Sequence, residues 1–365
     1  MNNKVINYSP YEVVWETTLQ CNLRCAHCDS KYGLKRKKEL TTGEALELCD
    51  NLGDIGFKQV NLTGGEVFLR KDWKKIAEEI KDCQMRLLIT TNGFFKPDKI
   101  IKKLAKLETD FLMIGMDGGN SDIQDTIRNV EGSYKKAWDF IKAAKKEGIR
   151  TGIITTVHKL NYKELTKIRR KVLKEKLDWL IQPAGVSGHF SKGILLDEEE
   201  YYNLANFIYS NQKRHDNKNF SIFGSQYIGF HSKKLPPLSM NPDWEGCLAG
   251  ISVLGIQSNG YVKGCISMPD NFIEDNIRRR NIKDIWNDPD SFSYNRQFND
   301  KDIGQNCEEC KFSDTCKGGC TTRSYKLTGE NHNDPFCLYR YEINKEGNNS
   351  GSNIRKILVD ATLIQ

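Results

Sequence analysis

Eight residues near the start of the chain, Cys21-Asn22-Leu23-Arg24-Cys25-Ala26-His27-Cys28, put three thiols on one short segment at C-x3-C-x2-C spacing. On so short a loop the three can converge on a single point. The odd number narrows the chemistry. A disulfide takes two cysteines, and a closed tetrahedral zinc site takes four ligands. A [4Fe–4S] cluster held by three cysteines keeps one iron open for an outside ligand. On spacing alone, three buried or metal-binding cysteines of another kind are the alternative. A second set lies far along the chain: Cys247, Cys265, then Cys307-x2-Cys310-x5-Cys316-x3-Cys320, and Cys337. In isolation, the run from Cys307 to Cys320 also fits a zinc ribbon. Cys49 and Cys83 stand apart on helical stretches and read as small buried hydrophobes. A thiol at either position could return a hydrogen atom if it faced the site.

Such loops need a scaffold. Val13-Val14-Trp15 with Thr17-Thr18 is rich in β-branched and aromatic residues and predicts a strand, so the first cysteine loop leaves a strand end. Thr41 with Glu44 three residues on is a helix-start signal, and the helix that follows is closed by Gly53 and Gly56. Further strands are expected at 59–63, 86–90, 111–114, 151–157 and 179–183, with helices around 73–82, 99–107, 134–147 and 163–174. This alternation predicts a parallel α/β fold, a partial (βα)6 TIM-like barrel over residues 1–190. Strands run out into Gly64-Gly65-Glu66, Thr91-Asn92-Gly93 and Gly115-Met116-Asp117-Gly118. That rim is where α/β folds gather their chemistry. The two glycines are expected to let the backbone approach a ligand closely, and Glu66 to offer a carboxylate to a cationic group. Asn92, Asn161 and Gln182 are rim-facing polar candidates or loop caps.

From 191 to 242 the periodicity weakens, predicting a linking, bridging helical segment whose acidic start Asp197-Glu198-Glu199-Glu200 suits a helix N-terminus. A small cysteine-rich domain is expected at 243–340, where Asn259-Gly260 signals a hairpin that brings Cys247 towards Cys265. Residues 341–365 read as a tail, with Gly347-Asn348-Asn349-Ser350-Gly351 as a flexible linker.

Of the 365 residues, 38% are hydrophobic and 28% charged, as in soluble globular proteins. The first ten residues lack the basic and apolar regions of a signal peptide, and no apolar run approaches the ~18 residues of a membrane span. A cytoplasmic chain is expected. Twelve cysteines there argue for metal or cluster ligation over disulfides. The net charge of +7 comes mostly from helix-face clusters without a nucleic-acid motif, so no nucleic-acid partner is expected.

The C-x3-C-x2-C loop followed by Gly64-Gly65-Glu66 resembles the radical S-adenosylmethionine (SAM) enzymes. The later seven cysteines resemble the SPASM domain, an auxiliary-cluster extension found on a subset of them. The resemblance implies a [4Fe–4S] cluster on Cys21, Cys25 and Cys28 with SAM on its open iron. It also implies that Gly64, Gly65 and Glu66 hold the SAM amino group, and that Asn92, Asp117, Arg128 and Gln182 lie among the SAM contacts. The family often has Ser where this chain has Gly115, and Arg128 is expected either on the SAM carboxylate or in a surface salt bridge. By the same resemblance Cys307, Cys310, Cys316 and Cys337 hold one auxiliary [4Fe–4S] cluster completely. Cys247, Cys265 and Cys320 hold another with one iron open to substrate, water or a ligand such as Asp270. The family implies hydrogen abstraction from a ribosomally made peptide or protein, giving crosslinks or oxidised side chains, with a flavodoxin- or ferredoxin-type electron donor. A small molecule such as a tetrapyrrole or sugar is the alternative substrate; a non-catalytic iron–sulfur or zinc protein is the alternative class. The barrel begins by about Tyr11, so a leader is expected to need a separate binding protein. Sulfatase-maturing relatives have Asp after the cysteine matching Cys265, where this chain has Ile266, which disfavours formylglycine formation.

Overall fold

The computed structural model describes residues 8–348 except 29–32, 187–191, 216–219, 227, 229 and 240–244. The expected strand–helix alternation is present: β1 (Glu12–Thr18), α1 (Thr42–Ile55), β2 (Gln59–Gly64), α2 (Trp73–Asp82), β3 (Arg86–Thr91), α3 (Pro97–Lys106) and β4 (Phe111–Gly115). It continues through α4 (Ser121–Arg128), α5 (Ser133–Lys146), β5 (Thr151–Val157), α6 (Leu165–Glu175), β6 (Asp178–Pro183) and α7 (Glu198–His215). Strands β1 to β6 pair in parallel in chain order. Their inward apolar residues, Trp15, Leu62, Leu87, Ile89, Ile114 and Trp179 among them, are fully buried under the helices. This burial is the main driving force holding the layers together.

The start of α1 bears the expected capping box: the Thr41 hydroxyl accepts from Glu44 N at 3.3 Å, and the Glu44 carboxylate accepts from Thr41 N at 2.7 Å. Its end differs. Gly53 lies inside the helix, and Gly56 caps it at φ +97°. Helix α4 was not expected from periodicity; Asn120 starts it by accepting from Ile123 N at 3.0 Å.

The 191–242 segment is more than a link. After α7 it supplies β7 (Ile222–Gly224), a seventh parallel strand paired to β6. Three residues are too short to show alternation; Asp178 holds this strand in register by accepting from Ser221 N at 2.7 Å. The cysteine-rich region also joins the sheet. Strand β8 (Val253–Ile256) pairs in parallel with β1, β9 (Tyr261–Lys263) returns antiparallel through the Asn259-Gly260 turn, and β10 (Asp275–Asn276) follows. The result is one open sheet of ten strands, ordered β10-β9-β8-β1-β2-β3-β4-β5-β6-β7.

Short helices complete the chain: α8 (Ile282–Asn287), α9 (Ser293–Arg296), α10 (Ser313–Cys316), α11 (Thr321–Thr328) and α12 (Leu338–Asn348). Trp286 of α8 meets Phe57 edge-on at 5.0 Å, and Tyr341 of α12 stacks on Tyr202 of α7 at 4.7 Å. These ring contacts add to the β1–β8 pairing in holding the C-terminal region on the barrel. Helix α12 runs to Asn348, so Gly347 and Asn348 end a helix and do not begin a linker; residues 349–365 lie outside the described residues. Among the described residues no helix is long and apolar enough to cross a membrane.

Candidate functional site

The loop leaving β1 carries Cys21, Cys25 and Cys28, and the turn leaving β2 is bonded directly to it. Gly65 N donates to Thr18 O at 2.7 Å and Glu66 N to Gln20 O at 2.8 Å. This contact explains the glycines. A β-carbon at Gly64 would lie 2.2 Å from Thr18 O, and one at Gly65 would lie 2.3 Å from Gln20 O. Both glycines let this turn pack directly against the cysteine loop.

Glu66 is 1% exposed. Its carboxylate accepts from the Thr91 hydroxyl at 2.8 Å, Asn92 N at 2.8 Å and Phe68 N at 3.3 Å. Burial raises its pKa to about 7 in spite of these donors. Asn92 also reaches the other way: its side-chain amide donates to Cys21 Sγ at 3.8 Å and to Asn22 Oδ1 at 2.8 Å. One residue therefore ties the buried carboxylate to the first thiol.

Arg128 lies at the end of α4, buried, and not in a surface salt bridge. Its Nη1 donates to Cys25 Sγ at 3.7 Å, and its Nη2 lies 2.5 Å from Asp117 Oδ2. Gly115 is what admits it, because a β-carbon there would lie 2.3 Å from Arg128 Nη2. Asp117 is wholly buried and accepts from Thr156 N at 2.9 Å. Burial pushes its carboxyl up, but Arg128 and then His27 more than offset this and hold it below the usual carboxylate value. Its place in the ion pair is therefore occupied by protein. Gln182 donates to the Thr156 hydroxyl at 3.0 Å, and Asn161 caps its own loop by accepting from His158 N at 2.9 Å.

Sequence reasoning assigned no role to His27 or His158. The His27 ring stacks on His158 with centroids 5.6 Å apart, and its Nε2 lies 3.4 Å from Asp117 Oδ2. Burial lowers the His27 pKa to about 4, against the pull of Asp117. The available signal was its place between two cysteines of the loop.

In the C-terminal region several of the seven cysteines lie near enough to act on one another electrostatically. Cys265 and Cys320 each feel the charge of Cys247. Cys307 feels Cys337 and Cys310, and Cys316 feels Cys337 and Cys307. Asp270 stands apart, accepting from Gln257 Nε2 at 2.9 Å and Lys263 Nζ at 3.2 Å. The first loop and its rim bring Cys21, Cys25, Glu66, Asn92, Asp117 and Arg128 together. Cys49 and Cys83 lie elsewhere, at the α1–α2 contact: Cys49 is fully buried, and Cys83 is half-buried beside Asp50, 3.5 Å from its carboxylate.

The donor sets fit iron–sulfur clusters better than a single ion. Zinc with sulfurs at ~2.3 Å would bring them within about 4 Å of each other. Among the described residues, only Asp50, Glu79 and Cys83 form a trio of metal-ligating atoms within 4.8 Å of one another; no cysteine set does. Burial raises the pKa of Cys21 to about 11 and of Cys307 to about 12, so thiolates there require a strong local positive charge, which cluster irons supply. Around the first loop, Leu23 N, Asn92 and Arg128 already point donors at sulfur.

Family models match in two stretches: the radical SAM superfamily at residues 15–172, and SPASM, an iron–sulfur cluster-binding domain, at 247–311. An AdoMet-dependent heme synthase of Methanosarcina barkeri is 27% identical, the match covering 91% of this chain and 97% of that one. The mycofactocin maturase MftC of Mycobacterium tuberculosis is 23% identical over 90% of this chain and 83% of its own. The crystal structure of Streptococcus suis SuiB has the same fold, with a TM-score of 0.73 at 18% identity over 91% of this chain and 76% of that one. The chain thus carries a radical SAM domain followed by a SPASM iron–sulfur cluster-binding domain.

Proposed function

We propose that this chain is a radical SAM oxidoreductase in which Cys21, Cys25 and Cys28 hold the SAM-cleaving cluster and Glu66 receives the SAM amino group. The observation that carries this reading is Asn92, which bonds Glu66 through its backbone and Cys21 through its side chain. When bound, cluster and SAM supply a 5′-deoxyadenosyl radical that takes a hydrogen atom from a substrate carbon. The protein's own part is positional. The bonds from Gly65 and Glu66 to the β1 exit fix the carboxylate relative to the thiols that would hold the cluster, where it would receive an ammonium. A cation arriving at this carboxyl favours its ionised form, releasing the proton that burial retains. Arg128 orients Cys25 while Asp117 offsets its charge. Cys247, Cys265 and Cys320 hold one auxiliary cluster, and Cys307, Cys310, Cys316 and Cys337 the other.

The first reading of the substrate is a ribosomally made peptide or protein, supported by the mycofactocin maturase relative, with a flavodoxin- or ferredoxin-type donor and a separate leader-binding protein. A tetrapyrrole is the second reading, supported by the heme synthase relatives at 25–27% identity. The test begins with anaerobically loaded, reduced protein and SAM. 5′-Deoxyadenosine is expected, and its loss in Cys25→Ala; none from fully loaded wild type would overturn the enzyme reading. Titration with iron coproporphyrin then separates the substrates. An unchanged Soret band keeps the peptide reading, while a shift accompanied by SAM-dependent decarboxylation replaces it with the tetrapyrrole.

A further inference from the structure

The three-cysteine group of the C-terminal region has a polar companion that no motif announces. Tyr294 lies on α9, its hydroxyl buried beside the Gly264 backbone N–H, with no acceptor for its own proton among the described residues. Its place is fixed from several sides. The ring meets Phe272 edge-on at 5.2 Å, and the Tyr294 carbonyl accepts from His332 at 2.6 Å. The next residue, Asn295, donates to Ala249 O at 2.8 Å and accepts from the Thr321 hydroxyl at 2.8 Å. Those two partners flank Cys247 and Cys320, so α9 is clamped to both cysteine-bearing loops. The hydroxyl itself rests over Gly264, the residue before Cys265, where a β-carbon would lie 2.2 Å from it. Cys247 and Cys265 are both near enough to act on it electrostatically.

A second hydroxyl lies at the same group: Thr322 Oγ1 is buried and placed to donate to Cys265 sulfur. A buried hydroxyl left unpaired costs about 1–3 kcal/mol. The Tyr294 proton, buried beside this group of thiols, marks an acceptor that belongs there, and cluster sulfur is such an acceptor.

We propose that Tyr294, supported by Thr322, donates a hydrogen bond to sulfur of the cluster held by Cys247, Cys265 and Cys320, and thereby sets its reduction potential. This rests on the ligand assignment proposed above. Hydrogen bonds to cluster sulfur stabilise the more negative, reduced state and so raise the potential. Tyr294 is thus a positioning and tuning residue with no part in bond breaking.

The experiment is an EPR-monitored redox titration of the anaerobically loaded full chain, comparing wild type, Tyr294→Phe and Thr322→Val, with Cys265→Ser to identify the signal. Phe keeps the contact with Phe272, and iron content checks that each variant is loaded. The signal lost in Cys265→Ser is expected at a lower midpoint potential in Tyr294→Phe, by a smaller step in Thr322→Val, with the other centres unmoved. A coupling to an exchangeable proton should vanish from that signal in Tyr294→Phe. An unchanged potential in a loaded Tyr294→Phe protein overturns the proposal. So does a tyrosinate-to-iron charge-transfer band in wild type, which would make Tyr294 a ligand. If Cys265→Ser loses no signal, the ligand assignment falls first and the proposal with it.

Discussion

Two buried arginine–aspartate pairs flank the cysteine groups, Arg128–Asp117 in the barrel and Arg323–Asp334 in the C-terminal region, and they are built differently. Arg323 spends its fork on protein: it bonds both Asp334 oxygens at 2.8–2.9 Å, Tyr201 Oη at 3.3 Å and Phe336 O at 2.9 Å. Asp334 in turn accepts from Cys320 N at 3.2 Å and Phe336 N at 3.0 Å. This pair braces the backbone beside Cys320 and Cys337. Arg128 instead turns one nitrogen to Cys25 sulfur and leaves buried Nε without a hydrogen-bond partner, as is His27 Nδ1 nearby. The same two residue types make a saturated brace in one region and a partly unsatisfied ligand-facing wall in the other. Unpaired buried polar atoms are costly, so their concentration at the barrel site points to a bound group that completes them.

The comparison can be broken at its strong end first. Arg323→Met leaves Asp334 buried without its partner and should destabilise the protein by about 3–5 kcal/mol, with loss of auxiliary iron. A small shift in thermal midpoint with full iron would show that the brace is dispensable. Gly115→Ala tests the barrel pair through the space it needs. The added methyl must displace Arg128, costing about 1–3 kcal/mol as overpacking. SAM cleavage should fall at least tenfold while the auxiliary iron stays; retained cleavage would remove Arg128 from the site.

Glu66 sharpens the contrast through pH. Its folded pKa, about 7, lies above its ordinary value of 4.5, so the folded state holds the proton more tightly. The stability this gives is fully present below the unfolded value and is lost as pH rises through 7. Urea midpoints of metal-free protein should therefore fall between about pH 4.5 and 7. Glu66→Gln should flatten that part of the slope; an unaltered slope would place the titration elsewhere. The smallest effect is expected where an ion pair lies at the surface. Arg278 contacts Glu44 at 2.5 Å across the two regions, with both side chains about a third exposed. Arg278→Ala should cost about 0.2–1 kcal/mol, and a larger loss would show that this pair works as the buried ones do.

The sequence made the barrel legible because its strands are apolar, its helices periodic, and its strand ends marked by glycine. Which thiols share a cluster rests on family resemblance, since spacing alone does not say which thiols meet. Other features depend on distant partners. The seventh strand at Ile222–Gly224 has no pattern of its own and exists because β6 and Asp178 receive it. The sequence left Arg128 between the SAM carboxylate and a surface salt bridge; its burial depends on the absent side chain at Gly115. Tyr294 follows the same rule, its hydroxyl placed by Gly264 thirty residues earlier. In both cases the glycine carries the information and the larger residue carries the chemistry.

The pairing of β1 with β8 has a consequence for how the protein is made. The Ser258 hydroxyl closes onto Glu16 at 2.9 Å across 242 residues of chain. On the ribosome, β1 can gain β2 early, but its other edge stays bare until the β8 hairpin emerges. During that interval Val13, Val14 and Trp15 lie on an open edge, a template for pairing with other nascent chains. The first cysteine loop grows directly from this strand, so it acquires its finished scaffold only late in synthesis. A chain cut before the SPASM stretch would keep that edge for good and should accumulate as aggregate.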